Sequence, residues 1–441
     1  RDITFGGKNL VLTSASGPDS TTVECGDPYG SIHWGFYLYS GEDSTSVIEG
    51  ITIAHASIGG VRLFASSPVI RGCVIDSCIT SGDGRGGAIY VDGGSPSIVS
   101  CTLVNNRVDT NGGGIFCRES DVLVERCTIT GNTAAKMGGG IAVGTGAVVD
   151  IVGCTVNGNV ATAETGGGIY VVAGTARIDS CLVAGNAASF GAGVYNGANA
   201  VCSVANSTIW GNAARSGGGG VYSSANMTMT GCTVVGNSAV YYGGGLEILN
   251  GTQNTVARSI VAFNESGAGI YTIMNVLAIS CSDVFGNAGG NYAGSTPDRT
   301  GVNYNFSADP AFCDSASSDY RLYDTSPCVA GASPCGGLVG ALPVGCRIAP
   351  NLVVSSVAWS PAAAAARDSV AVSVTVRNDG VADADDNCPR VANATQDNAD
   401  FDGLGDSCEP PSEPDSGLAI LRFEPFLALP ADPGWLEPGG T

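Results

Sequence analysis

A run of acidic and amide side chains near the C-terminus is the part of this sequence best suited to bind a metal ion. Asn398, Asp400 and Asp402 occupy alternate positions, and Gly403 follows them directly. Oxygen ligands at this spacing, with a glycine that permits a sharp turn, can wrap around a hard cation such as Ca²⁺. The segment has almost no apolar residues to bury, so a Cys388–Cys408 disulfide would staple it. An acidic linker without metal is the alternative.

Residues suited to acid–base catalysis are present but do not cluster along the chain. The two histidines, His33 and His55, both precede the regular part of the sequence. Arg85, beside Asp83, is the best local pairing, and a solvated loop explains it as well. The other candidate acids are scattered over different segments, at Asp109, Glu119, Asp121, Glu125, Asp150, Glu164 and Asp179. The sequence therefore favours a protein without a catalytic centre.

Composition excludes several classes of protein. The chain has 441 residues and a formal net charge of −21, from 40 acids and 19 lysines and arginines. A nucleic-acid partner is not expected, because the phosphate backbone demands a basic surface. The hydrophobic content of 44% is too high for a disordered chain, and no run of 18 apolar residues predicts a membrane-spanning helix. The 17 cysteines favour an oxidising compartment.

The elements that must position these residues are revealed by a repeat of about 26 residues. Each unit holds a hexapeptide that ends in asparagine, and a glycine cluster with an apolar pair follows, as in GGGIF (112–116), GGGIY (166–170) and GGGLE (243–247). The hexapeptides are CTLVNN (101–106), CTITGN (127–132), CTVNGN (154–159), CLVAGN (181–186), STIWGN (207–212), CTVVGN (232–237), SIVAFN (259–264) and SDVFGN (282–287).

Each unit contains three short stretches of alternating apolar residues, which indicates strands rather than helices. One unit cannot bury its apolar side alone, but a coiled stack can, if each strand pairs in parallel with its equivalent in the next coil. Parallel crossovers are almost always right-handed. The sequence therefore predicts an all-β fold, a right-handed parallel β-helix.

Three recurrent residue types have expected roles in this fold. The glycines before the Ile-Tyr strand satisfy a positive φ or a close approach of neighbouring coils. The recurrent asparagine suits a left-handed turn, and stacked asparagine amides can form a ladder of hydrogen bonds. The column headed by Cys101 and Cys127 also contains Ile51 and Ser207, and either Cys281 or Ser282 ends it. Such substitution favours buried free thiols over disulfides between neighbouring coils.

The loops between each asparagine and its glycine cluster should form one line along the stack. This ridge comprises Arg107, Asp109, Lys136, Glu164, Phe190, Arg215, Tyr241 and Tyr242. Aromatic side chains on a ridge can stack on sugar rings, so a glycan-binding strip is one interpretation. The other interpretation is that these are ordinary turn residues without a binding role.

The repeated units resemble right-handed parallel β-helix repeat proteins of bacteria, including the polymorphic outer membrane protein type of repeat. The resemblance covers roughly residues 1–346, with about ten coils over 1–300 and a cysteine-bearing cap over 301–346 that would close the last coil. Cys313, Cys328, Cys335 and Cys346 in this cap allow three pairings, all of which stay open. Many proteins of this shape cleave acidic polysaccharides, so a polysaccharide lyase or glycoside hydrolase is the alternative to a non-enzymatic protein.

Two further resemblances follow. Alternating strands over 352–360 and 369–380 resemble the start of a CARDB-type, immunoglobulin-like bacterial domain, here partial over 350–378. Residues 379–409 resemble a thrombospondin type 3 calcium repeat, and 410–441 form a proline-rich tail. The calcium repeat implies a ligand set of Asp379, Asp383, Asp386, Asn398, Asp400, Asp402 and Asp406.

Together the resemblances imply a secreted or cell-surface protein, extracellular or associated with a bacterial outer membrane. A structural, adhesive or glycan-binding role is expected, with Ca²⁺ bound in the C-terminal segment. Glycans or surface proteins are the expected partners.

Overall fold

The regular repeats each contribute a strand to each of three parallel sheets that stack along one axis. The structure, a computed structural model, describes residues 2–26, 32–82, 84–251, 253–274 and 277–347, and the backbone of the strands Leu352–Ser360 and Ala371–Asn378. The chain divides into two compact units, Arg1–Gly345 and Cys346–Thr441. The first unit is a right-handed parallel β-helix, which confirms the expected fold class.

Sheets 1 and 2 each contain eleven strands. Sheet 1 consists of Val11–Thr13, Val47–Glu49, Val69–Arg71, Ser97–Val99, Asp121–Glu125, Val148–Val152, Thr175–Asp179, Val201–Ala205, Asn226–Thr230, Asn254–Ala257 and Leu277–Ser280. Sheet 2 consists of Thr22–Glu24, Thr52–Ala54, Val74–Asp76, Thr102–Val104, Thr128–Thr130, Thr155–Asn157, Leu182–Ala184, Thr208–Trp210, Thr233–Val235, Ile260–Ala262 and Asp283–Phe285.

Sheet 3 combines a principal set of eleven strands with a shorter set of six. The principal set is Phe36–Leu38, Val61–Phe64, Ile89–Asp92, Ile115–Arg118, Ile141–Val143, Ile169–Val171, Val194–Asn196, Val221–Ser223, Ser238–Ile248, Ser266–Thr272 and Tyr292–Gly294. The shorter set is Ile79–Thr80, Arg107–Val108, Thr133–Ala134, Val160–Ala161, Ala187–Phe190 and Ala213–Gly217. Two 3₁₀ turns, Pro18–Ser20 and Ser315–Ser317, are the helical elements of the described ranges.

Strand register explains why the repeat length specifies the fold. Ile98 of sheet 1 pairs with Val124 in the next coil, and Leu103 of sheet 2 pairs with Ile129. All four side chains are fully buried, because equivalent residues in successive coils point into the same interior. One continuous apolar core therefore runs along the axis from coil to coil.

The predicted asparagine ladder is present and lies inside the coil. Asn132 and Asn159 are fully buried, and the Asn159 carboxamide oxygen accepts hydrogen bonds from the backbone N–H and the side-chain Nδ2 of Asn132, each at 3.0 Å. Asn132 Nδ2 also donates to the Leu103 carbonyl of the preceding coil at 2.9 Å. The same pattern links Asn106, Asn132, Asn159, Asn186, Asn212, Asn237, Asn264 and Asn287.

The expectation that these asparagines adopt a left-handed backbone conformation is wrong. The residue before the ladder asparagine makes the turn, with φ of +65° at Gly131 and +64° at Gly158. The turn at this preceding residue lets the asparagine itself direct its carboxamide into the interior. Both expected roles of the glycine clusters are observed. Gly138 has a φ of +67°, while a Cβ on Gly139 would lie 2.5 Å from the Gly167 carbonyl oxygen.

The cysteine column packs as buried free thiols, as the sequence predicts. The Cys127 thiol donates to the Glu125 carbonyl, and its sulfur accepts from the backbone N–H of Cys101, both at 3.4 Å. Ser207 repeats this arrangement with shorter bonds, accepting from Cys181 N–H at 3.0 Å and donating to Ala205 at 2.7 Å. A hydroxyl and a thiol therefore serve the same purpose, which explains why serine can replace cysteine in the column.

We expect Cys101, Cys127, Cys154 and Cys181 to resist a thiol-alkylating reagent in the native protein. Burial of the four thiols keeps the reagent out. In denaturant without reductant all four should react, as measured by mass spectrometry of alkylated peptides. A disulfide between any two of them would contradict the column described above, while the Cys281–Cys335 bridge serves as the unreactive control.

The segment that follows the last coil first pairs with the free edge of sheet 2, where Phe306 bridges to Asp283, and then lies along the outside of that sheet. Its strands Phe312–Asp314, Asp319–Tyr323 and Val344–Cys346 form a small sheet. Tyr320 packs against Trp210, with ring centroids 5.8 Å apart, and Gly340 N–H donates to the Arg258 carbonyl at 2.8 Å. The outer face of sheet 2 is apolar in these coils, which explains this position.

The cysteine pairing of this segment also differs from expectation. Cys335 bonds to Cys281, a residue outside the expected set of four, and Ser282 rather than Cys281 continues the cysteine column. Cys328 is a fully buried free thiol that donates to Asp283 at 3.4 Å, while Cys313 and Cys346 are each disulfide-bonded. None of the three pairings within the expected set could account for both Cys335 and Cys328.

The second unit contains the two strands expected from its alternating pattern. Leu352–Ser360 and Ala371–Asn378 pair antiparallel as a two-stranded sheet. Residues 379–441 lie outside the described residues, and with them the expected calcium ligands and Cys388 and Cys408.

Candidate ligand-binding face

The outward side of sheet 3 carries a column of side chains, one from each coil, most of which are large. Strand register aligns Tyr37, Arg62, Tyr90, Phe116, Ala142, Tyr170, Tyr195, Tyr222, Glu247, Tyr271 and Ala293, here called the aromatic column. Equivalent positions in successive parallel strands lie directly above one another, which is why one recurrent position of the repeat becomes a continuous stripe.

Three rings in the middle of the column stack on each other. The centroids of Tyr195 and Tyr222 are 4.8 Å apart with an interplanar angle of 5°, and those of Tyr170 and Tyr195 are 5.3 Å apart at 21°. Rings in this arrangement cover each other's faces and present their edges outward. The middle of the column is therefore a packing element, and its ring faces are not available to a ligand.

The N-terminal part of the column holds cations against aromatic faces. The Arg62 guanidinium lies 5.2 Å from the ring centroids of both Tyr37 and Tyr90, and Arg85 lies 5.0 Å from that of Phe116. These contacts are cation–π interactions. The pairing of Arg85 with Asp83 predicted from the sequence is not described, because Asp83 lies outside the described residues.

The predicted ridge lies beside the column, but the expectation that its residues lie in loops is wrong for five of the eight. Strands of sheet 3 contain Arg107, Phe190, Arg215, Tyr241 and Tyr242. Lys136 and Glu164 are exposed, and Arg215 ties the ridge together by donating to the Thr162 carbonyl, 53 residues earlier, at 3.0 Å. Arg107 and Asp109 approach to 4.0 Å. Phe190 turns inward against Tyr222, with ring centroids 5.5 Å apart. In these five coils the ridge therefore consists of ordinary surface residues.

The ridge differs at Tyr241 and Tyr242, whose side chains are 71% and 42% exposed. Their ring centroids lie 6.2 Å apart, and the Tyr242 ring contacts Tyr271 of the column at 5.1 Å. Both tyrosines belong to the strand Ser238–Ile248, at a point where its register with the next coil shifts between Ser238 and Gly243. Exposed aromatic area on adjacent residues is suited to a binding surface.

Glu247 interrupts the aromatic column next to these tyrosines. The strand register places Glu247 between Tyr222 and Tyr271. This glutamate is only 2% exposed, and its Oε2 atom has no hydrogen-bond partner among the described residues. Burial raises the pKa of Glu247 to about 7. The ion pairs of the described residues do not involve Glu247, so its carboxyl group is not neutralised by a neighbouring cation.

Sequence reasoning missed Glu247. In GGGLE (243–247) the glutamate follows an apolar residue, so the pattern indicates only the end of a strand. The signal that could have found it is the alignment of the glycine clusters, in which glutamate occupies the place of tyrosine in GGGIY (166–170).

The residues first considered for catalysis stay apart. His33 pairs with Asp2 at 2.7 Å, and His55 pairs with Glu24 at 3.0 Å, both near the first coils. Three of the scattered acids make ion pairs with arginines: Asp109 with Arg107, Glu125 with Arg126, and Asp150 with Arg177. Across the described ranges no group of three or more His, Cys, Asp or Glu side chains is arranged to hold a metal ion.

Comparison with known proteins supports the fold and gives no more specific relative. A family model described as "right handed beta helix region" matches residues 29–188. Searches of curated proteins and of solved structures gave no significant match. None of the helices in the described part of the chain is long and apolar enough to cross a membrane.

Proposed function

We propose that this chain is a secreted or cell-surface β-helix protein that binds glycans through Tyr241 and Tyr242. The observation that carries the proposal is the exposure of these two adjacent rings on a ridge that is otherwise polar or turned inward. Sugar rings present C–H groups on one face and hydroxyls at their edges, so they stack on exposed aromatic faces. A β-helix is consistent with surface and carbohydrate-related proteins, and this chain presents its aromatic platform on a strand of sheet 3.

We expect the double variant Tyr241→Ala/Tyr242→Ala to lose roughly thirtyfold or more in affinity for a glycan selected on an array with the full chain. Truncating a central aromatic residue of a binding surface costs about 2 kcal/mol or more, which corresponds to that factor. Affinity is measured by isothermal titration calorimetry. Tyr304→Ala is the matched control, since Tyr304 is 68% exposed elsewhere on the molecule. Equal binding by the double variant and the wild type would refute the assigned platform.

A carbohydrate-active enzyme is the alternative function. Glycoside hydrolysis uses two carboxyl groups that flank the scissile bond. Glu247 is the one acid of the aromatic column, so the described face favours binding over hydrolysis. The same glycan samples can be assayed for new reducing ends and for the absorbance of unsaturated products. Turnover that disappears in a Glu247→Gln variant would replace the binding proposal by an enzymatic one.

An extracellular or bacterial cell-surface location, with outer-membrane association, is part of the same proposal. The Cys281–Cys335 bridge and the bonded Cys313 and Cys346 support an oxidising compartment. The excess of acids, with a net charge of −21, supports a soluble surface that repels nucleic acid and other polyanions. Adhesion to surface glycans or glycosylated proteins is the role that follows.

We also propose that residues 379–409 form a thrombospondin type 3-like calcium segment after a CARDB-like pair of strands. Support comes from the sequence, in which seven acids and amides follow the spacing of that repeat between Asp379 and Asp406. Calcium would neutralise their mutual repulsion, and backbone carbonyls could complete a shell of six to eight oxygens. The Cys388–Cys408 disulfide would close the segment.

Replacing Asp402 with alanine in the full chain should abolish most of the heat of calcium binding. The wild-type dissociation constant should be on the order of 10⁻⁴–10⁻³ M, as in extracellular modules, because Asn398 contributes a neutral ligand. Asp397→Ala is the matched control, since it removes a neighbouring acid outside the ligand set. The thermal transition of the β-helix should not change. No heat and no protection from proteolysis at about 10 mM Ca²⁺ would identify the segment as an acidic linker.

A further inference from the structure

Two neighbouring coils depart from the repeat at the same place, beside the exposed tyrosines. Glu247 replaces the aromatic residue of the column, and Gly217 occupies the position where the preceding coil has Phe190. A Cβ on Gly217 would lie 1.7 Å from Glu247 Oε2, so the carboxyl group lies directly against the glycine. The absence of a side chain at position 217 makes room for the carboxyl group that the next coil supplies.

Nothing in the fold requires an acid here. In most other coils this column is filled by tyrosine, phenylalanine or alanine, and these pack without a buried charge. A buried carboxyl group without a hydrogen-bond partner destabilises the folded protein, commonly by several kcal/mol when ionised. A carboxyl group buried at such a cost between half-buried tyrosines indicates a ligand that supplies the missing partner.

The surroundings of Glu247 select the charge of that ligand. Tyr222 and Tyr271 flank it in the column, and Tyr242 packs on Tyr271 at 5.1 Å. Aromatic faces and a carboxylate both attract cations, while the net charge of −21 disfavours anions. An acceptor oxygen without a donor further favours a cation that carries N–H groups, and a quaternary ammonium group has none.

We propose that Glu247 binds the primary ammonium group of an amino sugar, so that the face selects glycans containing hexosamine units with a free amine. The inference rests on the proposed glycan-binding function and names its ligand class. The sugar ring stacks on Tyr241 and Tyr242, and its ammonium group reaches the Glu247 carboxylate after a movement of the exposed Tyr242 side chain. N-acetylation removes the positive charge of the amine and its fit to the Glu247 carboxylate.

The test measures binding of the full chain to β-1,4-linked glucosamine oligomers and to their N-acetylated counterparts by calorimetry. The wild type should prefer the free amine by at least about tenfold, the factor that corresponds to the lower end of a hydrogen bond to a charged group. Glu247→Gln keeps the shape of the side chain and should remove this preference. Because that variant also removes a buried acid, its thermal transition is measured in parallel.

Glu265→Gln is the matched control, since it removes the same charge from an exposed residue of the next coil and leaves non-specific attraction of polycations equal. A preference that survives in Glu247→Gln overturns the inference, as does a wild type that binds both oligomers equally. In the latter case the glycan-binding function stands, because the N-acetylated oligomer still binds. A lysine oligomer of equal charge that binds through Glu247 as well as the glucosamine oligomer also overturns the assignment to a sugar.

Discussion

Replacing Asn159 with alanine should lower the free energy of unfolding by about 4 kcal/mol or more. Asn159 Oδ1 accepts from the backbone N–H and Nδ2 of Asn132, and its own Nδ2 donates to the Ile129 carbonyl at 2.8 Å and to Asn186 Oδ1 at 3.0 Å. The substitution leaves several of these groups buried without partners, and each such group costs about 1–3 kcal/mol. Water cannot replace the lost bonds in a fully buried position.

Urea denaturation followed by circular dichroism measures this change. Asn157→Ala is the matched control, because Asn157 is an exposed residue of the same coil. It should change the free energy of unfolding by less than about 0.5 kcal/mol, as is usual for surface sites. Equal and small effects of the two substitutions would show that the ladder contributes little to stability.

Replacing Gly139 with alanine should destabilise the central coils by more than about 3 kcal/mol, beyond the usual cost of an overpacked core site. An added Cβ would lie 2.5 Å from the Gly167 carbonyl oxygen and 2.5 Å from the Val160 backbone nitrogen. Both are backbone atoms, so the clash can be relieved only by moving two coils apart. That movement breaks the parallel ladder between them.

Thermal unfolding and limited proteolysis of the purified variant test this prediction. Gly146→Ala is the control, because Gly146 has a φ of +69° but its nearest contact is at 3.5 Å. That substitution should cost only the strain of a left-handed backbone, about 1–2 kcal/mol. If Gly139→Ala proved no worse than Gly146→Ala, close packing of the coils would not be the reason for the glycine cluster.

The fold could be predicted from sequence because its determinants are local and repeated. A fixed spacing of Asn132 and Asn159 forces equivalent residues into register, and alternating side chains then have one interior to fill. The backbone details could not be predicted in the same way. Asparagine and glycine both tolerate a positive φ, and the choice of Gly131 for the turn follows from the burial of Asn132.

The departures from the repeat were the least predictable features. Cys281 and Ser282 are adjacent, and only the register of the last coil shows that Ser282 faces inward while Cys281 bonds to Cys335. The aromatic platform was partly predicted, since Tyr241 and Tyr242 stand out among polar loops. Glu247 was not, because the environment of a residue in the column depends on its neighbours one coil away, some 25 residues distant along the chain.

The asparagine ladder also sets the unit in which this molecule can gain or lose length during evolution. Every ladder asparagine offers the same acceptor to the preceding coil and the same donors to the next, so duplication or deletion of a whole repeat at the gene level restores every bond. A partial repeat would leave carboxamides facing the wrong partners. Variation in repeat length lies between the paired strands, both after the ladder asparagine and between sheets 3 and 1, where the interval Val194–Val201 is two residues longer than Val221–Asn226. Recombination between similar repeats can move such a segment along the stack without disturbing the core.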